Sequence, residues 1–150
     1  MAHVHEQGEP LNVGLLLFIP YRAMESRIFR ELAEAGFDDF TPAQARVMQR
    51  IGPSGTRLGE LAEAAQVTKQ TATFLVDQLE RTGYVRRTTD PSDARARLVH
   101  VADRGRAAQP VAAAVVARVE AEWEAHLGAR RWNHLRDALT RLREITDPYR

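Results

Sequence analysis

Two short groups of residues carry the chemistry this chain offers. One is Thr68-Lys69-Gln70-Thr71, followed by Thr73 and Phe74; the other is Asp90-Pro91-Ser92-Asp93-Ala94-Arg95, followed by Arg97. Neither group has the make-up of a catalytic cluster. Both have the make-up of a surface that binds a polyanion. Gln70 pairs bidentately with an adenine edge, Lys69 reaches guanine or a phosphate, and the hydroxyls of Thr71 and Thr73 suit phosphate oxygens. No GxSxG, P-loop, HExxH or paired-carboxylate arrangement occurs, so the chain reads as a non-enzyme with no cofactor. His3, His5, His100, His126 and His134 do not fall at metal-ligand spacing; His126 and His134 would meet only across Gly128, and an ordinary surface role is the simpler reading. The absence of cysteine excludes disulfides, thiolate metal sites and thiol redox sensing.

Charge concentrates where these residues lie. Over 150 residues the formal charge is only +1. Residues 81–106 nevertheless hold seven arginines against Asp90, Asp93 and Asp103, a net +4. Residues 1–56 hold five arginines against seven acids, a net −2. Such asymmetry fits either one face that meets a polyanion or a solvated charged surface. An apolar fraction of 44% suffices for one core. No run of 18 apolar residues is present and the LLLFI segment is too short for a signal sequence, so a cytoplasmic protein with no membrane partner is expected.

The elements that must position these groups follow from periodicity and punctuation. Residues 1–10 are polar and read as a frayed end. Leu15, Ile19, Met24, Ile28, Phe29 and Leu32 recur at roughly helical spacing from Leu11 to Phe37, with Gly36 as the stop and Pro20 expected to kink or split the helix. Thr41-Pro42 opens a second helix that ends at Gly52-Pro53. Leu58, Leu61, Ala62 and Ala65 define a short amphipathic helix, Gln66-Val67 a tight break, and Thr68 the cap of a helix closed by Gly83. The period then changes: Tyr84 to Thr89 reads as a strand, DPSDAR as a turn, and Arg97 to Val101 as the returning strand. Asp103 is placed to cap a helix running to about Leu127, bent at Pro110 and broken by Gly128, with a last helix carrying Trp132, Leu135, Leu139, Leu142 and Ile145.

Helix, tight turn, helix, strand, turn, strand is a winged helix-turn-helix. The expected fold is mainly α with a small β-hairpin wing, one domain over 1–150. Within it, 41–103 form the winged lobe, while 11–40 and 104–150 form N- and C-terminal dimerisation helices. At 100° per residue the apolar face of the 68–83 helix centres between Ala72 and Leu75, which leaves Gln70, Phe74, Asp77 and Arg81 opposite it. Lys69, Thr71 and Thr73 flank the N-terminal end, behind the capping Thr68. Phe74 is anomalous on this face. It is either an apolar contact to thymine methyls or, with a slightly rotated helix, an edge of the core.

The segment LGELAEAAQVTKQTATFLVDQLERTGYVRRTTDPSDARARLVHVADRGR, from Leu58 to Arg106, resembles the multiple antibiotic resistance regulator (MarR) family of bacterial transcription factors. The pattern DP-x-D-x-R, two strands, then a helix opening with glycine and arginine carries the resemblance; the flanking helices fit it in length and order. The resemblance implies a dimeric winged-helix repressor that binds double-stranded DNA. It implies that the wing arginine, here Arg95, enters the minor groove, held by an aspartate of the turn, here Asp93. Arg97, on the outgoing strand, would contact phosphate or form a structural ion pair. Two departures stand out. The family commonly has a small residue or arginine where Phe74 stands, so an operator preference does not transfer. It often has threonine where this chain has Ala102-Asp103, and Asp103 would take over the capping.

The terminal helices are too apolar to be covered by one wing-sized lobe. Leu15 to Ile19 at one end and Trp132 to Ile145 at the other would be buried by a two-fold partner, or else fold back on their own domain. A two-fold dimer sets two recognition helices about 34 Å apart, which makes the target an inverted repeat. The resemblance further implies a small-molecule effector, frequently aromatic and often anionic, bound where the terminal helices meet the winged lobe. Phe18, Tyr21, Arg22, Phe40, Met48 and Trp123 are the nearest candidates, although such residues at helical spacing also build ordinary core. The reading is thus a homodimeric repressor released by a ligand. The alternative is a winged-helix module for protein contacts without a DNA target.

Overall fold

The computed structural model describes residues 9–39 and 41–148. The long first helix, α1 (Val13–Glu34), starts where the Asn12 side chain accepts the backbone N–H of Leu15 at 2.9 Å. Pro20 lies inside it without splitting it. A proline removes one N–H from the ladder, and the turns on either side hold the helix together. Gly36, at φ +96°, ends the segment in a conformation that side chains with a Cβ rarely adopt.

Thr41 and Gln44 form a reciprocal capping box at the start of α2 (Pro42–Met48), with Pro42 in the first turn. Two residues, Thr56–Arg57, form β1, a strand the periodicity does not announce. It leads directly into α3 (Leu58–Ala64), and Gln66 at φ 56° makes the sharp turn into α4 (Lys69–Arg81). Then come β2 (Val85–Asp90) and β3 (Asp93–Val101), which pair antiparallel, with β1 on the far side of β3. The returning strand therefore begins at Asp93 and not at Arg97, and the turn shrinks to Pro91-Ser92. The cause is local: the Asp90 carboxylate accepts both the backbone N–H and the hydroxyl of Ser92 at 2.8 Å, closing the chain at once.

Two long helices complete the chain, α5 (Asp103–Leu127) and α6 (Ala129–Thr146), hinged at Gly128 with φ 82°. Pro110 is accommodated within α5. Asp103 does not cap: Ala102 holds the cap position without a side-chain bond, and Asp103, already helical, pairs with Arg106 one turn on.

The core lies in the winged lobe, where Val47, Leu61, Val76, Leu79, Tyr84 and Val99 are fully buried. Leu32 of α1 and Ala108 of α5 pack onto it, joining the terminal helices to the lobe. Beyond that junction the terminal helices expose much apolar surface. Leu15, Leu16, Leu17, Phe18 and Ile19 of α1 and Leu135, Leu139, Leu142 and Ile145 of α6 are all exposed. Trp132 is the exception to the expected outward series; it is buried against its own chain, with the Arg136 guanidinium 5.8 Å from its ring centre.

Candidate nucleic-acid interface

The face of α4 opposite the core is occupied as helical geometry requires. Ala72, Leu75, Val76 and Leu79 are buried, while Lys69, Gln70, Thr71 and Phe74 are exposed and Thr73 is half-buried. Thr68 accepts the Thr71 backbone N–H at 3.1 Å and donates its own hydroxyl to the Thr71 Oγ1 at 2.9 Å. Its side chain is therefore committed to capping the start of α4. The Thr73 hydroxyl donates to the Lys69 carbonyl at 2.9 Å, so it would meet a phosphate only as an additional partner. Gln70 has no side-chain hydrogen bond among the described residues.

The hairpin is braced at three points. Arg57 of β1 donates Nε to the Asp90 carboxylate at 2.7 Å, and Asp90 is buried at the root of the turn. The Ser92 amide and hydroxyl, then Arg57, hold that carboxyl below its ordinary range. Arg87 of β2 reaches back to α4, donating to Asp77 at 2.5 Å and to Glu80 at 3.1 Å, and its backbone N–H bonds Glu80 at 3.0 Å. The hairpin is thereby fixed relative to the helix. Asp93 accepts the backbone N–H of Arg95 at 3.0 Å, so it orders the main chain that carries the arginine. Arg97 donates to Thr89 Oγ1 across the strand pair at 3.2 Å. The Arg95 side chain is exposed, with no hydrogen bond or ion pair among the described residues.

A second cluster fixes the winged lobe to the long helices. The Tyr84 hydroxyl donates to Asp39 at 2.6 Å, Arg104 donates to the other Asp39 oxygen at 2.7 Å and to the Thr82 carbonyl at 3.0 Å, and its guanidinium lies 4.6 Å from the Tyr84 ring centre. Burial, then the Asp39 carboxylate, pushes the Tyr84 phenol well above its ordinary value. The Tyr84 hydroxyl, then Arg104, pulls the Asp39 carboxyl below its own. A carboxyl depressed in the folded state stabilises above its unfolded pKa, and that contribution fades as pH falls through the folded value. Asp39→Asn should therefore lower the urea midpoint at neutral pH, and its difference from wild type should close below about pH 4. A constant difference from pH 7 to pH 3 would refute the linkage.

The residues proposed for a ligand pocket do not converge on one cavity. Tyr21 and Met48 line an apolar cavity of about 380 Å³ between α1, α2 and α5, together with Met24, Glu25, Ile28 and Gly105. Phe18, Tyr21 and Trp123 line a second, open recess of about 780 Å³ between α1, α5 and α6. Arg22 lines neither; it pairs with Glu25. Phe40 lies outside the described residues.

Glu25 went unnoticed in the sequence. It is only 5% exposed, accepts the Tyr21 hydroxyl at 2.7 Å and the Arg22 guanidinium, and lies 3.5 Å from Arg46 of α2. Burial pushes its carboxyl up, and the Tyr21 hydroxyl and the two guanidinium groups together outweigh that push. The available signal was spacing: Glu25 stands three residues before Ile28 and seven before Leu32, on the buried stripe of α1. Among the described residues no cluster of histidine, aspartate and glutamate could hold a metal ion, and no helix is long and apolar enough to cross a membrane.

Comparison with known proteins points the same way as this geometry. Residues 38–96 match the MarR family model. The chain is 26% identical over 100 residues to YkoM of Bacillus subtilis (strain 168), an uncharacterised HTH-type transcriptional regulator; the match takes in 67% of this chain and 64%, just under two thirds, of YkoM. The fold is similar to that of the MarR crystal structure, with a TM-score of 0.72 and 27% identity over 89% of this chain and 96% of that one. It is similar to the transcriptional repressor CouR bound to a 23-mer DNA duplex, with a TM-score of 0.69 and 26% identity over 87% and 92% of the two chains. The transcriptional regulator Tm0710 from Thermotoga maritima is 27% identical with a TM-score of 0.60, over 88% and 92%.

Proposed function

We propose that this chain, whose residues 38–96 match the MarR family model, is a homodimeric, sequence-specific DNA-binding regulator that represses transcription from an inverted-repeat operator. One observation carries the reading. The two side chains best suited to DNA, Gln70 on α4 and Arg95 on the hairpin, are exposed, with no hydrogen-bond partner among the described residues, on elements that Arg87 ties together. The helix N-terminus enters the major groove with Lys69, Gln70 and Thr71 leading, while Arg95 follows into the adjacent minor groove. Arg97 and the flanking threonines contact phosphate. The DNA-bound likeness of CouR supports this docking.

The exposed apolar residues of α1 and α6 support a two-fold dimer, since a surface of that size costs free energy in water until a partner covers it. A small molecule, aromatic or anionic, would act by preferring a dimer whose α4 helices are misplaced for DNA. It lowers DNA affinity by no more than that preference. The cavity of about 380 Å³ beside Tyr21 and Met48 supports a site at the junction of the lobes.

Selection of bound duplexes from a random pool tests the proposal. An inverted repeat with about ten base pairs between half-site centres is expected. On the selected site, Gln70→Ala should lose about 1–3 kcal/mol at a single base position and relax specificity there. An equal loss on random DNA would remove Gln70 from base reading.

A further inference from the structure

Among the described residues thirteen large apolar side chains are exposed, and twelve of them lie on α1, the residue Leu11 just before it, or α6. Phe74 is the thirteenth and, among the described residues, stands alone in the winged lobe at 58% exposure. A two-fold partner on α1 and α6 accounts for the twelve and leaves Phe74 unexplained. Packing does not account for it either, because the buried side of α4 is filled by Ala72, Leu75, Val76 and Leu79.

Its neighbours narrow what the ring can meet. Phe74 stands four residues after Gln70, one turn further along the same face. Asp77, the next residue on that row, is taken by Arg87. The Thr73 hydroxyl is turned to the Lys69 carbonyl. Phe74 is thus an apolar position on a surface otherwise carrying an amide, hydroxyls and, from the hairpin, arginines. A phenyl ring neither donates nor accepts the hydrogen bonds by which base edges are told apart. Among the groups the four bases present in the major groove, the apolar one is the C5-methyl of thymine.

We infer that Phe74 reads the C5-methyl group of a thymine in each half-site, adjacent to the base read by Gln70. The inference rests on the DNA-binding reading and adds a requirement to it: the target carries thymine at that position, and the methyl, not the pairing, is what is recognised.

The test uses the full chain and the duplex selected from a random pool, with each symmetry-related pair of thymines replaced in turn by deoxyuridine. Uracil keeps the base pair and removes only the methyl. At one pair of positions the wild-type affinity should fall about fifteen-fold. That is roughly four-fold per methyl, the equivalent of ~0.8 kcal/mol for one buried carbon group. Phe74→Ala should bind the thymine and uracil duplexes equally and melt within a degree or two of wild type, while Phe74→Leu should keep part of the discrimination.

If no position distinguishes the two bases, or if Phe74→Ala keeps the whole uracil penalty, the inference falls while the DNA reading stands. A pool that yields no enriched sequence overturns both. A drop of many degrees in Phe74→Ala would show a ring that is packed, and would overturn the assignment even with DNA binding intact.

Discussion

Gly105→Ala is expected to destabilise this protein by about 3 kcal/mol, near the upper end of what overpacking a core costs. Gly105 is buried in the first turn of α5. A Cβ built there would lie 2.4 Å from the Tyr84 carbonyl oxygen, 2.7 Å from Val101 Cγ1 and 3.0 Å from Met48 Cε. The Met48 methyl could swing aside. The Tyr84 carbonyl could not, because it accepts the Ala102 N–H at 2.8 Å at the point where the wing passes into α5. Relief would require α5 to lift away from the start of β2, pulling Arg104 off Asp39 and opening the cavity that Gly105 itself lines. Thermal or urea unfolding measures the loss. Ala107 is exposed on the same helix, and Ala107→Gly supplies the control for glycine–alanine propensity alone, about 1 kcal/mol. A Gly105→Ala protein as stable as wild type would mean that the close approach is not a constraint.

The second large effect concerns salt. Lys69, Arg95 and Arg97 are exposed cations on α4 and the hairpin, so on the proposed reading a two-fold dimer would bring about six to the DNA. Counterion release then gives a slope of log affinity against log salt near −5, or about a thousand-fold loss between 50 and 200 mM. Arg95→Ala should weaken binding, flatten that slope by nearly two units per dimer, and leave the melting temperature unchanged, because the side chain has no partner within the described protein. Binding indifferent to salt would instead favour a protein-contact module. An Arg95→Ala variant with wild-type affinity would detach the hairpin from the site.

Much of the lobe was legible because its boundaries are written in local chemistry. Thr41-Pro42, Thr68 and Gly83 each mark an end by a cap or a left-handed backbone, as Gly128 does between the two long helices beyond it, and these signals need no knowledge of the rest of the chain. The outward face of α4 was equally accessible, since one amphipathic helix computes its own exposed side. The features that escaped depend on residues far apart in sequence. Thr56–Arg57 is a strand only because Val99 and Leu98 lie opposite. Glu25 stays charged though buried on α1 because Arg46 of α2 comes to it, adding to the Arg22 of its own helix. Asp103 looked like a cap, but the chain leaves the sheet one residue too early for it, and Ala102 takes the position. Of the six candidate ligand residues, Tyr21, Met48, Phe18 and Trp123 fall into two spaces that only the packing of α1 against α2, α5 and α6 creates, with Tyr21 lining both, while Arg22 lines neither and Phe40 lies outside the described residues.

The Arg57–Asp90–Ser92 brace has a kinetic consequence. An unsupported hairpin tip would surrender its freedom on touching a groove, at about 1–2 kcal/mol for each residue frozen. Here that surrender happens when the polypeptide folds, and on the proposed DNA-binding reading the finger would reach its target as a stiff peg already aimed. Encounter should then run at the speed set by diffusion and long-range attraction, with no slow search by the tip. Differences among target sequences should accordingly be felt mostly as differences in residence time.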